Sequence, residues 1–387
     1  VSLSKEALAV IAKVNKTYGE GAVVLAKDIQ IHKRYTTGHL GLDVALGGGW
    51  PANQPIEVLG RESNGKTAVV LKTLAANMAI DPEFTALWVA AEHYDVDQAA
   101  ALGVDNSRVI VHNTQAMEEA FQVMLDFGST RSVDAVILDS YPALVPDEEA
   151  AKDMDEHSMA IGARLFGKFF RKWGRQCRVD ITDPDVKPIL GPIIINQFRD
   201  KIGAWSPHGT PKTSPGGNAK NYAFYVRVEV ARDEFIKVND NGVKVPVGQT
   251  IKVTTTKNKS NSPGQVAVLD FYFRDADSLG FKRGEYDLAK DISLCALLFR
   301  VIERRGGTFV YANGQVDDKG KPLHRWQGKD AMFAGLLEDP DLFEEIRTKV
   351  LEVANDPANE HSLTEDAVEE AASAGVRTVS RREKAAA

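Results

Sequence analysis

The sequence predicts an α/β fold. Its centre is a mainly parallel, twisted sheet with helices on both faces, preceded by a helix–strand arm and followed by a small α/β domain. Three observations carry this. From residue 56 to about residue 175, short apolar runs alternate with helix-length segments, the pattern of strand–helix crossovers. After that, apolar runs follow one another with no helix between, which makes that part of the sheet antiparallel. Near residues 275–285 the texture changes again, to a helix, a hairpin-like pair and two more helices.

In chain order, residues 4–17 place Leu8, Ile11, Ala12 and Val14 at helical spacing, and Gly19 and Gly21 stop that helix. The short run Ala22–Leu25 reads as a strand. One helix and one strand cannot bury a core, so this arm, residues 1–33, must pack on the main body or on another subunit. The body, residues 34–277, has expected strands at Ile56–Leu59, Thr85–Ala91, Val109–His112, Ala135–Asp139, Pro192–Asn196, Val226–Val230 and Gln249–Thr255. Helices are expected at 66–79, 96–102, 116–128 and 158–174. Residues 278–358 form the C-terminal domain. A helix over Leu288–Arg304 ends at Gly306-Gly307, Thr308–Ala312 and His324–Gln327 pair, and Asp330–Leu337 and Asp341–Ala354 are helical. The polar, alanine-rich residues 359–387 read as a disordered tail.

The chain has 387 residues, which suggests two or three domains, with 43% hydrophobic and 26% charged residues, ordinary for a soluble protein. No apolar run approaches the ~20 residues of a membrane span, and residues 1–16 carry no basic-apolar leader, so the expected setting is the cytoplasm with no membrane partner. Cys177 and Cys295 are too far apart in sequence to suggest a disulfide framework or a metal motif. The net charge of -7 weighs mildly against a protein coated in nucleic acid but allows a local basic surface.

The chemistry begins at Gly60-Arg61-Glu62-Ser63-Asn64-Gly65-Lys66-Thr67, a G-x-x-x-x-G-K-T phosphate-binding loop between an apolar strand and a helix. Backbone N–H groups turn inward around phosphate oxygens, and the helix N-terminus adds its partial positive charge. Lys66 reaches the β- and γ-phosphates and Thr67 holds Mg²⁺. Asp139, ending the strand Ala135–Asp139, supplies the second group near the metal. Glu92, ending the strand before it, points at the same crevice, because the carboxyl ends of parallel strands converge there. It is placed to orient and polarise a water. ATP and Mg²⁺ are the expected cofactors.

The order GRESNGKT, VAAEH, VILDS, IIINQFRDKIG, SPGGNAKNYA and TTKNKS resembles the bacterial-type RecA recombinases, over about nine-tenths of the chain. The resemblance implies a RecA-like P-loop NTPase core and a helical homo-oligomeric filament on single-stranded DNA, which pairs that strand with a homologous duplex in recombination, repair and the SOS response. It also implies that Glu92 activates water and that Gln197 senses the γ-phosphate. It places Met159, Arg164 and Arg171 at a first DNA loop and the helix after it, Phe198–Pro215 in a second DNA loop, and Gly216, Gly217 and Asn218 in a turn against the DNA backbone. Lys257 and Lys259 are implied to reach the neighbouring subunit's ATP.

The residues themselves agree. The long loop from Phe198 to Lys220 interleaves Arg199, Lys201, Lys212 and Lys220 with Phe198, Ile202 and Trp205, so cations can track phosphates while apolar groups stack on bases, and Gly203 is a further DNA-binding candidate of the same loop. Arg164, Lys168, Arg171, Lys172 and Arg175 recur at spacings of three and four and give one basic helix face. Alone, these would equally describe a solvated loop and a solvent face, and Lys257 and Lys259 would guard a strand edge.

The chain departs from the family at Arg61 and Asn64, at the adenine-stacking position (Gln98 or Tyr94 here), at Asp200, and in the extra segment Arg178–Pro188. Two other readings share the nucleotide residues: a hexameric motor of the same core, expected to use an arginine finger, and a non-hydrolysing ATP-binding filament protein.

Overall fold

A computed structural model describes residues 3–19, 21–29, 33–153, 161–177, 186–200, 212–217, 219–359 and 361–375. Helix α1 (Lys5–Tyr18) is capped by Ser4, whose hydroxyl accepts from the Ala7 N–H, and buries none of its residues. Residues 22–25 do not form the expected strand. The Val23 peptide is taken on both sides by Asn15, which accepts from the Val23 N–H at 2.8 Å and donates to its carbonyl at 3.1 Å. The groups a ladder would need are thus satisfied inside the arm.

Strands β1 (Arg34–Tyr35) and β2 (Trp50–Pro51) pair across α2 (Leu40–Leu46). Then β3 (Ile56–Gly60), α3 (Lys66–Ile80), β4 (Ala86–Ala90), α4 (Val96–Ala101), β5 (Val109–Asn113), α5 (Met117–Thr130) and β6 (Ala135–Asp139) alternate as expected. Helices α6 (Asp147–Ala150) and α7 (Ile161–Gln176) lead to β7 (Leu190–Gln197). The short β8 (Arg199–Asp200) and β9 (Lys212–Thr213) pair antiparallel, and α8 (Ala219–Ala223) precedes β10 (Val226–Asp240), β11 (Val243–Asn258) and β12 (Val266–Tyr272).

The central sheet has the order β12-β11-β10-β3-β7-β6-β4-β5. Pairing is parallel from β10 to β5 and antiparallel from β10 to β12. Strands β3, β4 and β6 are buried throughout, as strands between two helical layers must be. Alternation sorts their side chains. Val58, Trp88 and Ile137 pack with Val69 and Leu74 of α3 on one face. Leu87, Val89 and Leu138 pack with Phe121 of α5 and Phe166 and Phe169 of α7 on the other.

In the C-terminal part, α9 covers Leu288–Leu298, short of the expected Arg304, because Glu303–Arg305 is strand β13. It pairs with β14 (Thr308–Val316), which pairs with β15 (Pro322–Gln327). Gly306-Gly307 is the two-residue hairpin turn between them, Gly306 at φ 64°, rather than a helix stop. Helices α10 (Lys329–Glu338) and α11 (Pro340–Ala354) follow. Residues 361–375 are ordered, contrary to the expected disordered tail. They include α12 (Glu365–Gly375), and Leu363 and Val368 are buried against the C-terminal core. Their few apolar residues meet a hydrophobic surface that composition alone does not reveal. Residues 376–387 lie outside the described residues. Both cysteines are free and buried. Among the described residues no helix is long and apolar enough to cross a membrane.

Candidate nucleotide and DNA site

The phosphate-binding loop follows β3 and delivers its lysine to the start of α3. Ser63 (φ 59°) and Gly65 (φ 91°) adopt left-handed backbone, and Gly65 has a second constraint: a Cβ there would sit 2.5 Å from Ile251 Cδ1. Asn64, one of the departures from the family pattern, ties the loop to the sheet by donating from Nδ2 to the Val230 carbonyl at 3.1 Å. The Lys66 ammonium donates to the Arg61 carbonyl at 2.7 Å, across the loop. Burial holds its pKa below the ordinary lysine value, against the pull of Asp139, Glu92 and Glu62.

Sheet register gathers the other groups. Ala90 pairs with Asp139 across β4 and β6, and the N–H groups of Ala91 and Glu92 both donate to the Asp139 carbonyl. Thr67 Oγ1 donates to Asp139 Oδ2 at 2.9 Å. The Ser140 hydroxyl donates to Glu92 Oε1. Gly60 pairs with Gln197 across β3 and β7, and the Phe198 N–H donates to the Gly60 carbonyl at 3.3 Å. Lys66, Thr67, Glu92, Asp139 and Gln197 therefore share one edge of the sheet.

These residues fit a nucleoside triphosphate with its divalent cation. The Asp139 carboxyl is buried and pushed up to about 6, first by desolvation and then by Glu92, with the Thr67 bond and Lys66 opposing. A pocket whose acid is this poorly compensated is suited to a metal ion beside Thr67 and Asp139.

Comparison with known proteins decides the family. A model of the RecA N-terminal domain matches residues 5–277. The chain belongs to the RecA family. It is 34% identical to Protein RecA of Thermus aquaticus over 348 residues, 88% of this chain and 92% of the relative. To Protein RecA of a Nitratiruptor species it is 32% identical over 345 residues, covering 88% and 90%. To that of Campylobacter fetus subsp. fetus it is 30% identical over 363 residues, covering 93% and 96%. Membership places the chain among ATP- and DNA-binding proteins of recombination and repair.

Within this RecA family chain, α7 carries Arg164, Lys168, Arg171 and Arg175 on its exposed side and Phe166, Phe169, Phe170 and Trp173 on its buried side. Arg164 stands 3.7 Å from Glu148 with both side chains largely in solvent, so the pair leaves it available. Arg199 is exposed on β8. Gly216 and Gly217 pack on α7: a Cβ at Gly216 would meet Phe166 Cδ1 at 2.7 Å, and one at Gly217 would meet Ala163 Cβ at 2.9 Å. Met159, Lys201, Ile202, Gly203, Trp205 and Asn218 lie outside the described residues, as do residues 178–185 of the extra segment.

Two expectations change. Lys220 is not a loop cation facing DNA. It is 3% exposed and its ammonium lies 2.8 Å from Glu57 Oε1, because α8 turns it into the sheet. Tyr94 is committed elsewhere: its hydroxyl donates to Asn106 Oδ1 at 2.8 Å and its ring stands edge-on to Trp88, leaving Gln98 as the remaining candidate beside adenine. Lys257, at the end of β11, donates to the Asn221 and Phe224 carbonyls, each at 2.6 Å, and so caps the C-terminal end of α8 within its own chain. Lys259 Nζ lies 5.7 Å from the centre of the Tyr225 ring.

Sequence reasoning missed Ser140, although it follows Asp139 in the same VILDS segment and is the residue that holds Glu92. It also missed Glu57 and Asn196, for which no local signal exists.

Proposed function

We propose that the chain is a DNA-dependent ATPase that forms filaments on single-stranded DNA and catalyses homologous pairing and strand exchange, in the cytoplasm. One observation carries the DNA dependence. Gln197 stands level with Gly60 on the neighbouring strand, and the next residue is bonded to the Gly60 carbonyl, so the segment entering the long loop starts at the phosphate-binding loop.

For hydrolysis, Thr67 and Asp139 would hold Mg²⁺, which supplies Lewis-acid neutralisation of phosphate charge. Lys66 would exchange the Arg61 carbonyl for phosphate oxygen. With Ser140 on one oxygen of Glu92, the other is left to accept a proton from water and orient it. Gln197 would report the γ-phosphate to the loop, and Arg164, Arg171 and Arg199 would bear on DNA phosphates, which makes affinity fall with salt. Asn218 and the loop residues Met159, Lys201, Ile202, Gly203 and Trp205 belong to the same proposed surface, with Gly216 and Gly217 closing it. In the filament Lys257 and Lys259 would turn to the next subunit's ATP. Assembly draws support from both ends: α1 buries nothing, with Leu8 and Val10 exposed, while the edge strand β5 exposes Ile110 and Val111. An unpaired apolar edge of this kind is a docking site for another chain.

The test is turnover of ATP with and without single-stranded DNA, beside negative-stain microscopy with a slowly hydrolysed analogue. DNA-stimulated turnover and helical filaments are expected, with Lys66→Ala reducing turnover about 100-fold or more. Unchanged turnover in that variant sinks the nucleotide site. Closed rings favour the motor, and filaments without hydrolysis favour the non-hydrolysing protein.

A further inference from the structure

Glu57 is fully buried, three residues before the first glycine of the phosphate-binding loop. Its two carboxylate oxygens are divided between partners from different parts of the chain. Oε1 accepts from Lys220 Nζ and from Asn196 Nδ2, each at 2.8 Å. Oε2 accepts from Arg227 Nε at 2.5 Å. Strand pairing makes two of these inevitable neighbours. Glu57 is opposite Arg227 on β10 and Ile194 on β7, and Asn196 is two residues further along β7 on the same face.

Lys220 and Asn196 each have a second attachment. The Lys220 ammonium also donates to the Ser214 hydroxyl, and Asn196 Nδ2 donates to the Pro215 carbonyl at 3.2 Å. Ser214 and Pro215 are the returning limb of the long loop, directly after β9. The outgoing limb is held as well, because Asn196 Oδ1 accepts from the Gln197 N–H at 2.9 Å. Both limbs of the loop are therefore bonded, through Lys220 and Asn196, to a carboxylate on the strand that carries the phosphate-binding loop. Ions are costly to bury, and a well-packed apolar group in their place is often neutral or stabilising, so burial of this pair calls for something other than stability.

We propose that Glu57 and Lys220 are positioning residues that couple DNA engagement by the long loop to the nucleotide site, beside the route through Gln197. This rests on the DNA-dependent ATPase reading above. A shift of the loop's returning limb displaces Ser214 and Pro215 against Lys220 and Asn196. Both pull on Glu57 Oε1, and β3 transmits the displacement to Gly60 and the loop beyond. The pair touches neither nucleotide nor DNA. Its effect is on how far DNA changes turnover, whatever the DNA-free rate.

The experiment reads the ratio of ATP turnover with saturating single-stranded DNA to turnover without it, for the full chain and for Lys220→Met, Lys220→Arg and Ser214→Ala, each checked for folding by thermal melting. Lys220→Met should lower the ratio at least about fivefold, the lower end of ordinary coupling between two sites. Lys220→Arg, which keeps the charge, should restore part of it. Ser214→Ala leaves the buried pair intact and cuts only its link to the loop. It should lower the ratio less, in the same direction, and it decides the matter if Lys220→Met does not fold. A folded Lys220→Met, or Ser214→Ala, with the full ratio of the unaltered chain overturns the proposal. An unaltered chain that DNA does not stimulate sinks the DNA-dependent reading and this inference with it. Stimulation that is equal in the chain and its variants sinks this inference alone.

Discussion

Two buried acids hold distant parts of this chain together, and they are compensated in opposite ways. Glu57, in the middle of the sheet, faces two cations and an amide. Asp291, on α9, faces the start of α2: its carboxylate accepts from the Leu40 N–H at 2.7 Å and the Gly41 N–H at 3.0 Å. Those are orphan donors of a helix whose N-cap, His39, makes no side-chain cap. Among the described residues no cation is paired with Asp291, while Asp43 and Asp287 lie near enough to oppose its charge. One acid is fully matched by cations and sits beside the chemistry. The other is an under-compensated dock between the body and the C-terminal part, where ionisation works against burial.

The sharpest break of this comparison is Glu57→Ala. It leaves Lys220 buried with no carboxylate and Arg227 with none at its Nε, so unfolding free energy should fall by about 3–5 kcal/mol, the usual cost of breaking a buried pair from one side. Chemical denaturation at neutral pH checks it. A loss under ~1 kcal/mol would mean that water already serves the two cations.

How much of this is visible in the sequence depends on distance along the chain. The nucleotide residues are legible because each belongs to a local pattern. Lys66 and Thr67 sit in the loop motif, Asp139 ends an apolar strand, and Glu92 stands two residues beyond another, with the strand directions aiming both at one edge. Gln197 is legible only through the family resemblance. Glu57 carries no such sign: it interrupts an apolar strand, and its partners Lys220 and Arg227 are 163 and 170 residues away. The cap on α2 spans 251 residues. Gly306-Gly307 fails for a different reason, since two glycines after an apolar periodic run serve equally as a helix end or a hairpin turn until strand pairing chooses.

The dock should respond to pH. Burial raises the Asp291 carboxyl from an ordinary value of 3.8 to about 7. The folded state therefore holds this proton more tightly than the unfolded state. The associated stability is fully present below about pH 4 and is lost as pH rises through 7. Asn at this position carries no ionisable proton, but its amide nitrogen cannot accept, so it keeps only one of the two N–H bonds. Asp291→Asn should therefore be about 1–3 kcal/mol less stable than the unaltered chain near pH 4, and that gap should close as pH rises through 7. Melting temperatures across that range check it, and a difference constant with pH would place the neutral form of Asp291 out of the folded state.

The smallest effect belongs to the second tie of the same dock. Arg347, on α11, donates from Nη2 to Asp43 Oδ2 at 3.1 Å and to Thr36 Oγ1 at 3.2 Å. Asp43 is buried but already accepts from the Thr37 N–H and the Thr36 hydroxyl, each at 2.6 Å, and its pKa is raised by desolvation with Arg347 only the last of the opposing influences. Arg347 is also a quarter exposed, so solvent screens what it adds. Arg347→Gln should therefore cost about 1 kcal/mol, less than either buried acid. If Arg347→Gln instead costs as much as Glu57→Ala, the dock is closed by charge after all, and the contrast between the two regions fails.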